Sequence, residues 1–342
     1  MELTPRKKKI LASVIRNYCA SGEPVGSKSI AEEIGFSSAT VRNEMADLIN
    51  LGLLEQPHTS AGRIPSQQGL REYLNSGIER EELPSDIKDY IDRTMTITEY
   101  DREKVLQNAT EALAGALGYA SAATSPGGQT AKIKAVQFVQ ISRRAAMLIL
   151  MSSAGTMKSR IFRCEFDLTN EIMRIFFRIF NEKLAGKTVA EITPGFIQSL
   201  GISFGDMAML MSSPLMALLE TARETGKPET VSAGLMNLLM YEDYSQVSVR
   251  TILKTLGNSD DLDLLLTCRP GQVNTLVGTE IGRPEFRSSS IVMSRYMIDG
   301  VNAGAIAAVG PMRMNYPLVT ECVRYVSERV GEVFTMLTRE DI

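Results

Sequence analysis

The chain has 342 residues, with 37 Lys+Arg, 40 Asp+Glu and one His, and a net charge of -3. At roughly 150 residues per domain, that length implies two or three domains. A composition of 44% hydrophobic and 23% charged residues can bury sizeable cores and excludes global disorder. The four cysteines (Cys19, Cys164, Cys268 and Cys322) are scattered, which excludes a clustered zinc site and a disulfide framework. His58 is the one base of its type for a Ser-His-Asp or Cys-His enzyme. No apolar run approaches the roughly 20 residues of a membrane span. The start MELTPRKKKI has bases but no apolar stretch behind them, so no signal peptide is expected. The expectation is a cytoplasmic protein with no cofactor, no metal and no membrane partner.

In chain order, Thr4-Pro5 predicts a helix start, with Thr as cap and Pro at the first helical position. Ile10, Leu11, Val14, Ile15 and Tyr18 follow at helical spacing, and Ser21-Gly22-Glu23-Pro24 ends that helix. Ser27 is expected to cap a short second helix with Ile30 and Ile34 on one face, stopped by Gly35. Ser37 or Ser38 caps a third, in which Val41, Met45 and Leu48 form an i, i+4, i+7 stripe. After Gly52, residues 53–56 read as a strand, 59–62 as a turn and 63–64 as the return. Residues 79–103 hold nine Asp/Glu against four bases and read as a helical connector with a solvated face. A helix over 105–118 and a loop over 125–128 follow. Strands are expected at 136–141, 145–151 and 157–166, then a helix at 169–184. A mainly helical, Met-rich stretch covers 196–266. Strands return at 273–280, 288–298 and 304–311, before an amphipathic helix over about 317–337.

Three short helices and a hairpin, in this order, describe a winged helix-turn-helix. Its second helix braces the third, which enters the DNA major groove. With Val41, Met45 and Leu48 inward, Ala39, Thr40, Asn43 and part of Arg42 face outward. Asn43 can pair with an adenine edge, Arg42 can reach guanine or phosphate, and Thr40 offers a hydroxyl and a methyl. Ser37 and Ser38 stand where free N–H groups and the helix dipole favour a phosphate. His58, Thr59, Ser60 and Arg63 form the wing, whose arginine suits phosphates or a narrow minor groove. Arg6, Lys7, Lys8, Lys9 and Arg16 give residues 1–20 five bases against Glu2. Phosphate contacts of that kind supply affinity without sequence choice. Lys28, in the second helix, completes the expected DNA-binding set. Plainer roles stand beside these: Ser37 and Ser38 as caps alone, His58 as a surface turn residue, and Lys7 to Lys9 as a solvated helix start. The methionines at 207–216 suit core or interface packing, and the whole module could bind protein instead of DNA.

Residues 22–27 (GEPVGS), 38–48 (SATVRNEMADL) and, most specifically, 52–65 (GLLEQPHTSAGRIP) closely resemble the HrcA family of bacterial heat-shock repressors. Residues 181–192 (NEKLAGKTVAEI) and 304–316 (GAIAAVGPMRMNY) support it, whereas 277–281 (VGTEI) only partly match the GEEN-like stretch expected there. The resemblance implies a multidomain α+β chain. Its parts are a winged helix-turn-helix at 1–75, an acidic connector at 76–104, a GAF-like α/β domain at 105–190 and 267–342, and an inserted, mainly helical dimerisation domain at 191–266. It further implies a homodimer that binds double-stranded DNA at an inverted-repeat operator, the CIRCE element, upstream of chaperone operons. Repression would depend on the GroEL chaperonin. A ligand-sensing regulator is the alternative, with Arg143, Arg144, Arg269 and Arg295 as candidate pocket residues. Catalysis is not expected: there is no P-loop, Rossmann fingerprint or metal cluster.

Overall fold

The computed structural model describes residues 3–58, 61–76, 81–96, 102–125, 128–153, 156–258, 261–262, 265–266, 272–298 and 301–340. Helix α1 (Pro5–Ser21) opens where expected. The Thr4 side chain accepts the Lys7 N–H at 3.3 Å, and Gly22, at φ 75°, closes the helix. Helix α2 (Ser27–Ile34) differs at its start: Gly26 holds the cap position and Ser27 is already helical. The reason is tertiary. Val25 forms an antiparallel bridge with Arg63, which holds the backbone extended up to the helix and sets its first residue. Helix α3 (Ser38–Asn50) follows, then the short strands β1 (Leu54–Glu55) and β2 (Ile64–Pro65).

Ile10, Leu11, Val14, Ile15, Ile30, Val41, Met45 and Leu48 are buried together, whereas Tyr18 and Ile34 only pack against them. Each large apolar side chain so buried contributes roughly 1.5–3 kcal/mol, which is what holds three short helices that would be marginal alone. A fourth helix, α4 (Gln67–Asn75), was not expected from the sequence. Ser66 caps it, accepting the Gly69 N–H at 3.0 Å and donating to the Gly52 carbonyl at 2.6 Å. Gly69 permits the helix to press on the hairpin, because a Cβ there would lie 2.0 Å from the Leu53 carbonyl oxygen.

The acidic stretch is partly packed. Its helix α5 (Ser85–Thr94) buries Ile91, and Met95 just beyond it is buried too. The Tyr325 hydroxyl donates to Asp92 at 2.7 Å. Helix α6 (Arg102–Leu117) leads to β3 (Ala120–Thr124). With β7 (Thr230–Ala233), β8 (Asn274–Val277), β9 (Ser289–Ile298) and β10 (Val301–Pro311), β3 forms an antiparallel sheet in the order β7-β3-β10-β9-β8. One face packs on α6 and on the last helix, α11 (Tyr316–Glu340), through residues such as Leu113, Val323, Val326 and Ile306. The other packs under Leu238 and helix α10 (Gln246–Leu256), through Ala122, Ile291, Met293 and Ala307. This sheet, with helices on both faces, is the α/β layer of the expected α+β architecture.

A second sheet contains β4 (Ile133–Ser142), β5 (Ala145–Ser152) and β6 (Met157–Arg163), joined in that order. It shares a core with α7 (Asn170–Leu184), α8 (Pro194–Ser203) and α9 (Ala208–Gly226), around Phe138, Phe176 and Phe180. Two compact units result: 1–124 with 230–342, and 125–229. The second thus leaves the chain between β3 and β7, antiparallel neighbours in which Thr124 faces Thr230. The insert expected at 191–266 differs at both ends. Strands β4–β6 join one another and not the five-stranded sheet, so 125–190 goes with the insert. The pairing of β7 with β3 returns 230–266 to the first unit. Strand alternation marks which face is buried and not which strand lies beside it, so local pattern could not place these edges.

Candidate nucleic-acid interface

Ser37 caps α3. Its backbone is extended (φ -68°, ψ 143°) and its Oγ accepts the Thr40 N–H at 3.1 Å. Ser38 is the first helical residue. The Ser37 and Thr40 hydroxyls are 2.8 Å apart, so both are engaged in the cap. Val41, Met45 and Leu48 are buried, which turns Ala39, Arg42, Asn43 and Ala46 to solvent. Among the described residues, neither Arg42 nor Asn43 has an ion-pair or side-chain hydrogen-bond partner. Small residues beside two unengaged polar side chains suit the close approach of a base edge.

The N-terminal bases stand differently from what their number suggests. Lys7 Nζ lies 3.0 Å from Glu44 Oε2 and 2.9 Å from Asp47 Oδ2, and Arg6 lies 3.5 Å from Glu44. Hydrogen bonds to Asp47 and then Glu44 raise the Lys7 ammonium above its ordinary value. Arg6 and Lys9 also sit over the Phe36 ring, at 5.6 and 5.9 Å. Arg16 pairs with Glu33 at 3.2 Å. Burial pushes the Glu33 carboxyl up, but bonds from Ser13 (2.7 Å), Asn17 (2.6 Å) and Arg16 outweigh it and hold it below the usual range. Arg6 and Lys7 therefore neutralise two carboxylates on α3 that would otherwise repel a polyanion. The exposed Lys8, Lys28 and Arg42 form no ion pair among the described residues. Sequence spacing could not show this, because the partners lie on different helices.

In the wing, His58 is exposed, and Thr59 and Ser60 lie outside the described residues. Arg63 is half-buried. Its Nη1 donates to the Ala61 carbonyl at 2.9 Å, and its Nε is buried without a partner. The guanidinium thus folds against its own hairpin. Gly62 closes the wing on the segment before α2, since a Cβ there would lie 2.5 Å from the Pro24 carbonyl oxygen.

Residues 2–74 match the family model described as the winged helix-turn-helix transcription repressor, HrcA DNA-binding, and residues 103–320 match the HrcA protein C terminal domain. The chain belongs to the HrcA family. It is 32% identical over 348 residues to the heat-inducible transcription repressor HrcA of Acetivibrio thermocellus, covering 100% of this chain and 99% of that one. The HrcA of Clostridium perfringens (strain 13) is 30% identical over 332 residues, covering 96% of this chain and 97% of that one. A crystal structure of a hypothetical protein matches with 26% identity and a TM-score of 0.65, over 98% of this chain and 100% of that one. The HrcA winged helix is thus the module built by α1–α4 and the β1–β2 hairpin.

The residues proposed for a ligand pocket belong to different compact units, Arg143 and Arg144 to 125–229 and Arg295 to the other. Arg143 and Arg144 are exposed and face Asp167, at 3.8 and 2.8 Å. Arg295 lies in β9, and Arg269 is outside the described residues. Cys19, Cys164 and Cys322 are free thiols. Among the described residues, no group of His, Cys, Asp or Glu could hold a metal ion, and no helix is long and apolar enough to cross a membrane.

Proposed function

We propose that this chain is a heat-inducible transcription repressor of the cytoplasm. As a homodimer it binds the inverted-repeat CIRCE operator upstream of chaperone operons and blocks their transcription. The observation that carries the reading is the outward face of α3, where Arg42 and Asn43 stand exposed and unengaged on a capped helix. That face enters the major groove, with Asn43 and Arg42 on base edges. Lys8, Lys28, His58, Thr59, Ser60 and Arg63 follow the backbone on either side. Ser37 and Ser38 present the helix N-terminus to a phosphate, and Thr40 lies beside them.

An inverted repeat requires a two-fold protein. Support for a dimer comes from the insert, where apolar side chains crowd the exposed face of the β4–β6 sheet. Val139, Met147 and Ile161 lie in register across it, as do Met151 and Met157. Ile161 is 61% and Met157 62% exposed, and Met209 on α9 is 86% exposed. A monomer seldom leaves such a patch in water, and a second copy of the insert is the partner that covers it here. The same surface and the topology support a dependence on GroEL. The β3–β10 pairing joins Thr124 to Ala305 across the whole insert, and long-range pairing of that kind folds slowly and exposes apolar surface meanwhile.

The test is fluorescence anisotropy on a CIRCE duplex and a scrambled duplex at fixed salt, with and without GroEL. Selective binding that GroEL raises is the expected result. Equal binding of both duplexes would refute the operator reading. Selective binding indifferent to GroEL would remove only the chaperonin from the scheme.

A further inference from the structure

Helix α4 carries the winged helix beside the five-stranded sheet: Leu70 joins the apolar core that continues to Val277 and Ile306, and polar contacts reach β8 and the turn after it. Arg71 Nε donates to Glu280 Oε1 at 2.8 Å, and its Nη2 meets Glu280 Oε2 and, at 2.7 Å, the Thr275 carbonyl oxygen. One turn earlier, Gln67 Nε2 donates to Thr279 Oγ1 at 2.8 Å, while its Oε1 accepts the Thr279 N–H at 3.1 Å. Gly278, at φ +54°, makes room: a Cβ there would lie 2.6 Å from Gln67 Oε1. Glu280 also accepts the Val277 N–H at 2.9 Å, so its carboxylate is oriented from its own side. Gln67 and Arg71 are four residues apart and share a helix face. Between them, Gly69 presses on the hairpin and Leu70 enters the core. The nine-residue helix is a strut, tied to the wing on one side and to β8 and the turn after it on the other.

Arg71 and Glu280 keep 30% and 28% of their side-chain surface exposed. A partly exposed pair adds little stability, but a bidentate arginine–carboxylate pair fixes direction. We propose that Arg71, with Glu280 and Gln67, is a positioning residue for operator recognition. It sets the angle at which each winged helix is held, and so restricts the half-site separation that a dimer accepts. The inference rests on the reading of the chain as a dimeric operator binder. Each base pair inserted between half-sites shifts the second by roughly 3.4 Å and turns it by roughly 34°. The shared apolar core holds the winged helix without fixing its angle, and the fork fixes that angle, so a winged helix that has lost the fork follows the displacement at a smaller cost in contacts.

The experiment uses the full chain and the variants Arg71→Ala, Glu280→Gln and Gln67→Ala. Anisotropy is measured on inverted repeats with the spacer changed by one, two or five base pairs, and on a single half-site. The wild type should lose about tenfold or more for a two-base-pair change, and Arg71→Ala about threefold or less. Half-site affinity and sedimentation as a dimer should be unchanged. Should Arg71→Ala fold poorly, Gln67→Ala is the milder variant, with a smaller shift in the same direction. A spacing profile parallel to the wild type in variants that remain folded overturns the positioning role. A wild type indifferent to spacing, yet selective for CIRCE over scrambled duplex, also overturns it and leaves the operator reading standing. No preference for CIRCE over scrambled duplex sinks both.

Discussion

Replacing Asn43 with alanine tests the recognition face directly. Asn43 is exposed, and among the described residues it has no side-chain hydrogen-bond partner. Its removal should therefore change folding stability by no more than about 0.5 kcal/mol, with alanine's better helix propensity offsetting any local loss. Its contribution should appear only on DNA. A bidentate amide–adenine contact supplies roughly 1–3 kcal/mol of discrimination. At about 1.4 kcal/mol per tenfold, that is about 5- to 150-fold in Kd for one half-site. Two half-sites read by a dimer double the free energy, to roughly 2–6 kcal/mol on the full repeat. The assay is anisotropy at fixed salt on CIRCE, half-site and scrambled duplexes, with thermal melting of the same preparations. The expected pattern is an unchanged Tm, a large loss on CIRCE, about half that loss in free energy on the half-site, and almost none on the scrambled duplex. An equal loss on all three would refute base reading by Asn43. A fall in Tm would show that the side chain holds something in the fold.

Four further outcomes follow from the same geometry. Gly69→Ala should destabilise by about 1–3 kcal/mol or more, because its Cβ would meet the Leu53 carbonyl oxygen at 2.0 Å; an unchanged melting temperature would mean that α4 does not press on the hairpin. Ser37→Ala should cost roughly 0.5–2 kcal/mol by removing the cap of α3, read as a lower denaturant midpoint, whereas no change would leave the cap without energetic weight. Lys8→Ala should reduce the slope of log affinity against log salt by about 1, while Lys7→Ala weakens binding with little change in slope, because Lys7 is spent on Glu44 and Asp47; the reverse pattern would exchange their roles. Burial pushes the Glu280 carboxyl up, but Arg71 and the Val277 N–H outweigh it and hold it below the usual range. A depressed folded-state value means that its stabilisation is present above about pH 4.3 and lost as pH falls through the folded value. Glu280→Gln should flatten the acid limb of the stability curve below about pH 4, and an unaltered limb would show that the pair has no weight there.

Most of the DNA-binding module was legible in the chain. Thr4-Pro5, Gly22, Gly35 and Ser37 are local signals read by local backbone chemistry, and each stands at the expected helix end. The stripe of Val41, Met45 and Leu48 fixed which way α3 faces, and hence that Arg42 and Asn43 look outward. Helix α4 was also within reach, since Ser66 is followed by Leu70, Tyr73 and Leu74 at helical spacing.

Other features depended on which elements meet. The acidity of 79–103 reads as solvation, yet Ile91 and Met95 are buried and Asp92 receives the Tyr325 hydroxyl from a helix more than two hundred residues away. The basic N-terminus reads as a phosphate-binding arm, yet its charges are largely answered by Glu44, Asp47 and Glu33. Arg71 is an ordinary helix residue until the turn after β8 brings Glu280 to it.

The sequence alone determined the winged helix, the order of most elements and the direction in which the third helix presents its side chains. Those follow from caps, turns and periodicity within a few residues. Only the tertiary structure decided that 125–229 is the insert, that β7 belongs beside β3, and that Arg6, Lys7 and Arg16 are ion-paired. Sheet partners and ion pairs depend on contacts between residues far apart in the chain, and a local pattern specifies a buried face without naming what covers it.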